Sequence, residues 1–161
     1  MFRVSKLADY GTVVMTFMAR DPNRVHSAAD LSSRIGLAAP TVSKILKTLT
    51  RQGLLVSIRG AKGGYRLPCP AAQISVAQII GAMEGPIGIT ECSTTSGVCP
   101  QESGCGVRTN WRKINQILLH ALEGVTLEQM TQPIPMAINV SGIRHRQAQA
   151  STWARPNAIT K

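Results

Sequence analysis

A chain of 161 residues is long enough for one ordinary domain, or for a small domain with an appendage. Its 43% hydrophobic content excludes a wholly disordered protein, and its 4% aromatic content argues against a single-strand binder that stacks bases on aromatic rings. A net charge of +10 favours a polyanionic partner, and the lack of a long apolar run or signal-peptide pattern predicts a cytoplasmic protein without membrane contact.

The charge is unevenly distributed and divides the chain into three predicted segments. Residues 1–67 hold eleven basic and three acidic side chains, a net charge of +8, and are predicted to form a DNA-binding domain. Residues 68–132 hold three basic and five acidic side chains and are predicted to carry a metal-binding loop and a dimerisation helix. Residues 133–161 add four basic side chains and no acidic one, and their composition predicts a disordered basic tail.

The first two predicted helices are defined by apolar spacing and by their ends. Apolar and small residues recur at three- and four-residue steps over residues 5–19, the pattern of an amphipathic helix. Ser27 and Asp30 have the form of a capping box that opens a second helix through Ile35. Gly36 then stands where a helix end favours a positive φ.

A third predicted helix follows after two small residues and has an apolar face and a polar, basic face. Pro40 is suited to its first position because the missing N–H needs no partner there. The apolar face is formed by Val42, Ile45, Leu46 and Leu49. Two short helices joined by a tight glycine-containing turn, the second with a basic outer face, predict a helix-turn-helix.

A predicted β-hairpin follows this unit and completes a winged helix. Residues 54–58 are apolar and β-branched and are predicted to form the first strand. Residues 59–64 contain three glycines that are expected to allow positive φ in the turn, and residues 65–67 are predicted to form the second strand. The alternative is a compact helical domain whose lysines are merely solvated, but the order of the elements and the charge favour double-stranded DNA as the partner. The predicted DNA-contacting residues are Ser27, Thr41, Ser43, Lys44, Lys47, Arg59 and Lys62.

A polar loop with three cysteines follows a short predicted helix around residues 76–83. Cys92, Cys99 and Cys105 are separated by six and then five residues. A disulfide, a zinc ion or an iron–sulfur cluster could hold them together; a reducing cytosol argues against the disulfide, and zinc sites usually use closer pairs. On spacing alone a cluster is modestly favoured over zinc. Candidates for a fourth ligand are Glu91, Glu102 and Cys69, although Cys69 is better explained as a packing residue.

A second long helix is predicted from Asn110 onwards, and Thr126 is predicted to cap one last turn. Its apolar stripe could cover the protein's own core, or it could form a symmetric homodimer interface, as duplex operators with two-fold symmetry favour. The predicted interface residues are Trp111, Ile114, Ile117, Leu118, Leu122 and Val125.

The order of these features resembles the IscR/NsrR-type family of winged-helix iron–sulfur transcriptional regulators, above all members that regulate SUF-type cluster assembly. The resemblance covers about residues 1–132 and includes Leu-Ala-Asp-Tyr-Gly at 7–11, Arg-Gly-Ala-Lys-Gly-Gly-Tyr at 59–65, the three cysteines and Trp111. It implies a mainly α fold with a small β-hairpin wing and a long dimerisation helix.

The resemblance also implies the cofactor and its ligands. Cys92, Cys99 and Cys105 would hold a [2Fe–2S] or [4Fe–4S] cluster. IscR-type members place a His three residues after the third Cys, where this chain has Arg108. NsrR-type members use a carboxylate from the first helix of the partner subunit, and the matching position is Asp9.

The function implied is that of a dimeric DNA-binding regulator whose operator affinity is switched by the cluster, controlling cluster-assembly genes. The alternatives are a nitric oxide- or redox-sensing repressor of the same family, and an iron–sulfur carrier or scaffold. An enzyme is not expected, because His26, His120 and His145 are scattered and have no carboxylate partner in sequence.

Overall fold

The computed structural model describes residues 3–95 and 97–132, and this part of the chain is mostly helical with one small antiparallel sheet. The predicted fold class, a winged helix-turn-helix followed by a long helix, is confirmed. The predicted tail at 133–161 lies outside the described residues. The elements are α1 (Lys6–Ala19), α2 (Ala28–Ile35), α3 (Ala39–Arg51), β1 (Val56–Ile58), β2 (Gly64–Arg66), a 3-10 turn (Ala71–Gln73), α4 (Val76–Glu84), α5 (Glu91–Thr94), α6 (Arg108–Glu123) and α7 (Leu127–Thr131).

The start of α2 shows that the predicted capping box is only half formed. The Ser27 hydroxyl accepts the Asp30 backbone N–H at 3.1 Å, as expected. The Asp30 carboxylate does not return to the Ser27 backbone; it accepts instead from Arg34 at 2.7 Å and from Arg24 at 3.3 Å. The hydrogen bond from Arg34 lowers the pKa of Asp30 and keeps it ionised. Charge pairing along α2 has therefore replaced the second half of the cap.

The helix-turn-helix is fixed by its turn and by the buried face of α3. Gly36 adopts φ 75° and ψ 23°, the left-handed conformation expected at this helix end. Pro40 lies at the second position of α3, one residue later than predicted, because the helix already begins at Ala39. The predicted apolar face is confirmed, since its four members are fully buried: Val42, Ile45, Leu46 and Leu49.

The wing depends on its glycines for steric as well as conformational reasons. β1 and β2 pair with Ser57 opposite Tyr65. Only Gly60 of the three loop glycines has a positive φ, at 113°, which corrects the expectation for the other two. A side chain at Gly63 would collide with the Ile58 carbonyl, and one at Gly64 with the His26 carbonyl.

His26 joins the wing to the helix-turn-helix. Its backbone N–H and C=O exchange two 2.9 Å hydrogen bonds with Tyr65, and its ring packs edge-on against Phe17. Burial and the neighbouring Arg24 guanidinium lower the pKa of His26, so the ring is neutral at physiological pH. The wing therefore has a fixed position relative to α2.

One hydrophobic core underlies the winged helix and includes the chain beyond α6. Gly11 lets α1 approach α4 so closely that a β-carbon there would lie 3.1 Å from Met83. Leu127 of α7 is fully buried in the same core, and Thr126 caps that helix as predicted. In the part of the chain that the structure describes, no helix is both long and apolar enough to cross a bilayer.

The chain that follows the long helix α6 is hydrogen-bonded to this core, and α6 itself contacts α4 and α5. The Val76 N–H donates to the Val125 carbonyl at 2.9 Å, and the Leu127 N–H donates to the Ile74 carbonyl at 2.7 Å. Asn115 is the single buried residue within α6 itself. Most residues of this helix are exposed to solvent.

Candidate nucleic-acid interface and cysteine loop

The outer face of α3 forms a shallow basic concavity. Three of the predicted DNA-contacting residues, Ser43, Lys44 and Lys47, line it together. Thr41 does not line this concavity, although it is also partly accessible on α3. The surface also includes Pro40, Thr48 and Arg51.

Arg51 lines the same concavity but was not among the predicted DNA-contacting residues. It follows Lys47 by four positions, so both lie on one face of α3. The i, i+4 spacing of two basic residues opposite an apolar stripe was the signal that could have identified it. Together with Lys44, they give this face three positive charges.

The other predicted DNA-contacting residues lie at the wing and at the start of α2. Arg59 and Lys62 are exposed between β1 and β2. Ser27 is exposed as well, but its hydroxyl oxygen already caps α2. A basic helix face and a basic wing on one rigid body are the arrangement that winged helices offer to duplex DNA.

The three loop cysteines lie on different parts of the second region. Cys92 is in the short helix α5 and only 8% exposed, and its sulfur lies 3.3 Å from the Thr90 hydroxyl. Cys99 and Cys105 are half-buried in turns that follow. All four cysteines of the chain are free thiols, and the fourth, Cys69, packs against the core as predicted.

The donor set suits an iron–sulfur cluster, although the thiols are not assembled around a common centre. Three free cysteines on a loop of small polar residues supply the thiolates that such clusters prefer. Among residues 3–95 and 97–132, no three His, Cys, Asp or Glu side chains lie together as a metal-binding group. Binding a cluster therefore requires the loop to close around it.

Arg108, at the position where the resemblance leads one to expect a histidine, forms an ion pair inside the loop. Its guanidinium contacts the carboxylate of Glu102, and the same carboxylate accepts the Gly97 backbone N–H. Glu102, a candidate fourth ligand, is thereby engaged by other groups. Glu91, the other carboxylate considered, is exposed at the start of α5.

Asp9, the fourth ligand expected from the partner subunit, is exposed in the first turn of α1. Asp9 borders a groove that is open to solvent and is lined by polar, charged and apolar side chains. Residues from α1, α2 and α7 line this groove: Asp9, Thr12, Val13, Thr16, Phe17, Arg20, Arg34, Ile35 and Met130.

The predicted interface residues of α6 form a partly exposed apolar surface. Ile117 is 64% exposed, Ile114 45% and Trp111 37%, which is high for large apolar side chains. Leu118 and Leu122 are half-buried, and Val125 is exposed just beyond the helix. None of these six side chains is part of the main hydrophobic core.

Comparison with known proteins identifies the family. A model of the Rrf2 family, described as iron-dependent transcriptional regulators, matches residues 4–133. The chain belongs to the Rrf2 family. The resemblance expected from the sequence is thus confirmed, and the chain is a transcriptional regulator that binds DNA, not an enzyme.

Individual relatives agree with this assignment to the Rrf2 family. The chain is 30% identical to the HTH-type transcriptional regulator IscR of Cronobacter sakazakii over 127 residues, 79% of this chain and 77% of that one. The structure of CymR, the global cysteine regulator of B. subtilis, superposes with a TM-score of 0.65 at 27% identity, covering 81% and 97% of the two chains. The structure of T. potens IscR superposes with a TM-score of 0.62 at 26% identity, covering 80% of this chain and 85% of that one.

Proposed function

We propose that this Rrf2 protein is a cytoplasmic homodimer whose affinity for a duplex operator is switched by an iron–sulfur cluster held by Cys92, Cys99 and Cys105. The observation that carries the proposal is the attachment of a loop with three free thiols to a complete winged helix in one chain. The similarity to IscR-named regulators supports it.

The DNA contacts proposed follow from the two basic surfaces. Ser43, Lys44 and Lys47 enter the major groove, with Arg51 on the adjoining phosphates and Thr41 at the edge of α3. The wing residues, Arg59 and Lys62, contact the backbone or the minor groove beside it. Ser27 contacts phosphate at the start of α2 while it caps the helix.

The dimer proposed is formed through the apolar face of α6. Burying Trp111, Ile114 and Ile117 against a second copy removes apolar surface that a monomer leaves in water. The groove beside Asp9 includes apolar side chains, such as the exposed Val13, against which the partner's α6 can pack. In this dimer Asp9 would reach the partner's cysteine loop, where its carboxylate would act as the fourth ligand.

The cluster supplies the switch because its ligands lie on segments that are separate in this structure. A cluster held by the three thiols would fix the region between α4 and α6, and its loss or oxidation would release that region and change the pose of the two α3 helices. The two states differ in operator affinity only by their differential contacts. Regulation of cluster-assembly genes is the proposed role, with nitric oxide or redox sensing as the alternative signal.

Anaerobic purification followed by DNA binding tests the proposal. The isolated protein is expected to contain iron and acid-labile sulfide in comparable amounts, to have the mass of a dimer, and to shift duplex DNA with an affinity that changes when the cluster is removed. Zinc without sulfide, or identical affinity with and without cluster, contradicts the switch. A cluster-loaded protein that fails to bind any duplex supports a carrier or scaffold instead.

A further inference from the structure

The one buried residue of α6 is polar. Asn115 is 6% exposed, whereas the apolar residues around it on this helix are exposed or half-buried. Burying an amide is unfavourable unless its donor and acceptor are both satisfied. A residue kept in this position therefore has specific partners.

Both partners of Asn115 are backbone groups of the segment that leads into the cysteine loop. Its Nδ2 donates to the Ile87 carbonyl at 3.1 Å, and its Oδ1 accepts the Ile89 N–H at 3.0 Å. The side-chain amide thus pairs with the backbone of residues 87–89 as a neighbouring β-strand would, and it satisfies one backbone donor and one backbone acceptor of that segment. We call this pair of hydrogen bonds the Asn115 clamp.

The clamped segment is in direct contact with the helix that carries Cys92. Gly88 lies so close to Thr94 of α5 that a β-carbon at Gly88 would overlap the Thr94 methyl group. Thr90, one residue after the clamp, places its hydroxyl on the Cys92 sulfur and on the Ser93 hydroxyl. Cys92 is accordingly the most buried of the three loop thiols.

We propose that Asn115 is a positioning residue that fixes Cys92 to α6. Cys92 is the anchored thiol, and the segment carrying Cys99 and Cys105 is the part that moves when the loop closes. Any displacement of Cys92 is passed through the clamp to α6, whose exposed face includes Ile114 and Ile117. The link to cluster binding rests on the proposed function; the anchoring of Cys92 does not.

The anchoring is tested in the full-length protein without cluster. Asn115→Leu keeps the approximate side-chain shape but removes both hydrogen bonds, and Gln116→Leu, at an exposed neighbouring position, is the matched control. Under native conditions, alkylation measured by mass spectrometry should be slowest at Cys92 in the wild type. Asn115→Leu should raise the Cys92 rate about tenfold or more and leave Cys99 and Cys105 within about twofold.

A second variant covers the case in which Asn115→Leu does not fold. Asn115→Asp keeps an acceptor for the Ile89 N–H and loses the donor to Ile87. A smaller, selective increase at Cys92 supports the clamp. An unchanged Cys92 rate in a folded variant, or uniform exposure of all three thiols in both variants, overturns the positioning role.

Reconstitution with ferrous iron and sulfide separates this inference from the proposed function. If the clamp positions Cys92 for the cluster, the lifetime of the cluster in air should fall about tenfold in Asn115→Leu and stay unchanged in Gln116→Leu. A wild type that takes up no cluster refutes the proposed function, while the alkylation rates still decide the anchoring. Equal lifetimes in loaded wild type and Asn115→Leu overturn the link to the cluster.

Discussion

The winged helix and the cysteine loop differ in what holds them together. The winged helix surrounds a continuous core in which residues such as Leu46 and Leu49 are fully buried. The loop has one well-buried thiol, Cys92, and otherwise depends on polar contacts such as Arg108 with Glu102. A region that must hold a fixed DNA-binding surface is built by burial, whereas a region proposed to open and close is built from few and weaker contacts.

Replacing the loop cysteines should give the largest effect, because it removes the proposed cofactor without removing the fold. Alanine at Cys92, Cys99 or Cys105 should abolish the visible absorption of anaerobically isolated protein and leave the melting transition almost unchanged. Cys69→Ala is the matched control and should keep the colour, since that thiol packs against the core. A coloured protein carrying any one of the three loop substitutions contradicts the assignment of that ligand.

A charge on the exposed face of α6 should separate dimerisation from folding. Ile117 is 64% exposed, so Ile117→Asp should leave the monomer folded and prevent the apolar faces from meeting. Because a monomer binds only one half-site, operator binding should weaken on the order of a hundredfold. Light scattering measures the mass of the particle in solution. The control, Gln116→Asp, adds the same charge on the polar side of α6 and should remain dimeric. A dimeric Ile117→Asp protein would place the interface elsewhere.

Core and loop substitutions should differ in their effect on stability. Leu46→Ala removes a fully buried side chain and should lower the free energy of unfolding by about 2–5 kcal/mol. Val98 in the loop is 53% exposed, and Val98→Ala should change the free energy of unfolding by less than about 0.5 kcal/mol. Chemical denaturation measures both; similar losses would mean that the loop is part of the cooperative core.

Whether a contact could be predicted from the sequence depends on how far apart its residues lie along the chain. The caps at Ser27 and Thr126 and the turn at Gly36 depend on residues close in the chain, and all were predicted. The Asn115 clamp joins groups 26 and 28 residues apart, so no local pattern revealed it. Gly64 was assigned a conformational role, but its neighbour is the distant His26 carbonyl.

The cysteine loop shows the same limit more strongly. Its three thiols were identified from their spacing, but spacing carries no information on which carboxylates are already engaged. Glu102 was named as a candidate ligand, and only the structure shows that its carboxylate contacts Arg108 and accepts the Gly97 N–H. A polar segment without apolar periodicity leaves such pairings undetermined.

Removing a wing charge should produce a moderate effect that depends on salt. Each phosphate that the protein no longer neutralises should lower the slope of log affinity against log salt by about one unit, so Arg59→Ala should reduce it by about two per dimer. Fluorescence anisotropy between low and moderate salt measures the slope. Arg112→Ala removes the same charge from the polar side of α6 and should leave the slope unchanged. Equal slopes for Arg59→Ala and wild type would remove the wing from the interface.

The smallest expected effect concerns Asp9, the carboxylate proposed to reach from the winged helix of one subunit to the cysteine loop of the other. Asp9 lies in the first turn of α1, where a negative charge also stabilises the helix by about 0.3–1 kcal/mol, so a change in stability alone does not reveal a ligand. A carboxylate donates less strongly to iron than a thiolate, so the iron bound by Asp9 would be the labile one.

Asp9→Ala should therefore keep the dimer and the fold, alter the absorption and Mössbauer spectra, and shorten the cluster's lifetime in air; Asp9→Cys should lengthen it. Asp21→Ala removes another exposed carboxylate of the winged helix and is the control. If Asp9→Ala and Asp21→Ala both match the wild-type spectrum and lifetime, the two regions are not joined through Asp9. The fourth ligand is then sought at Glu91, because Glu102 is held by Arg108.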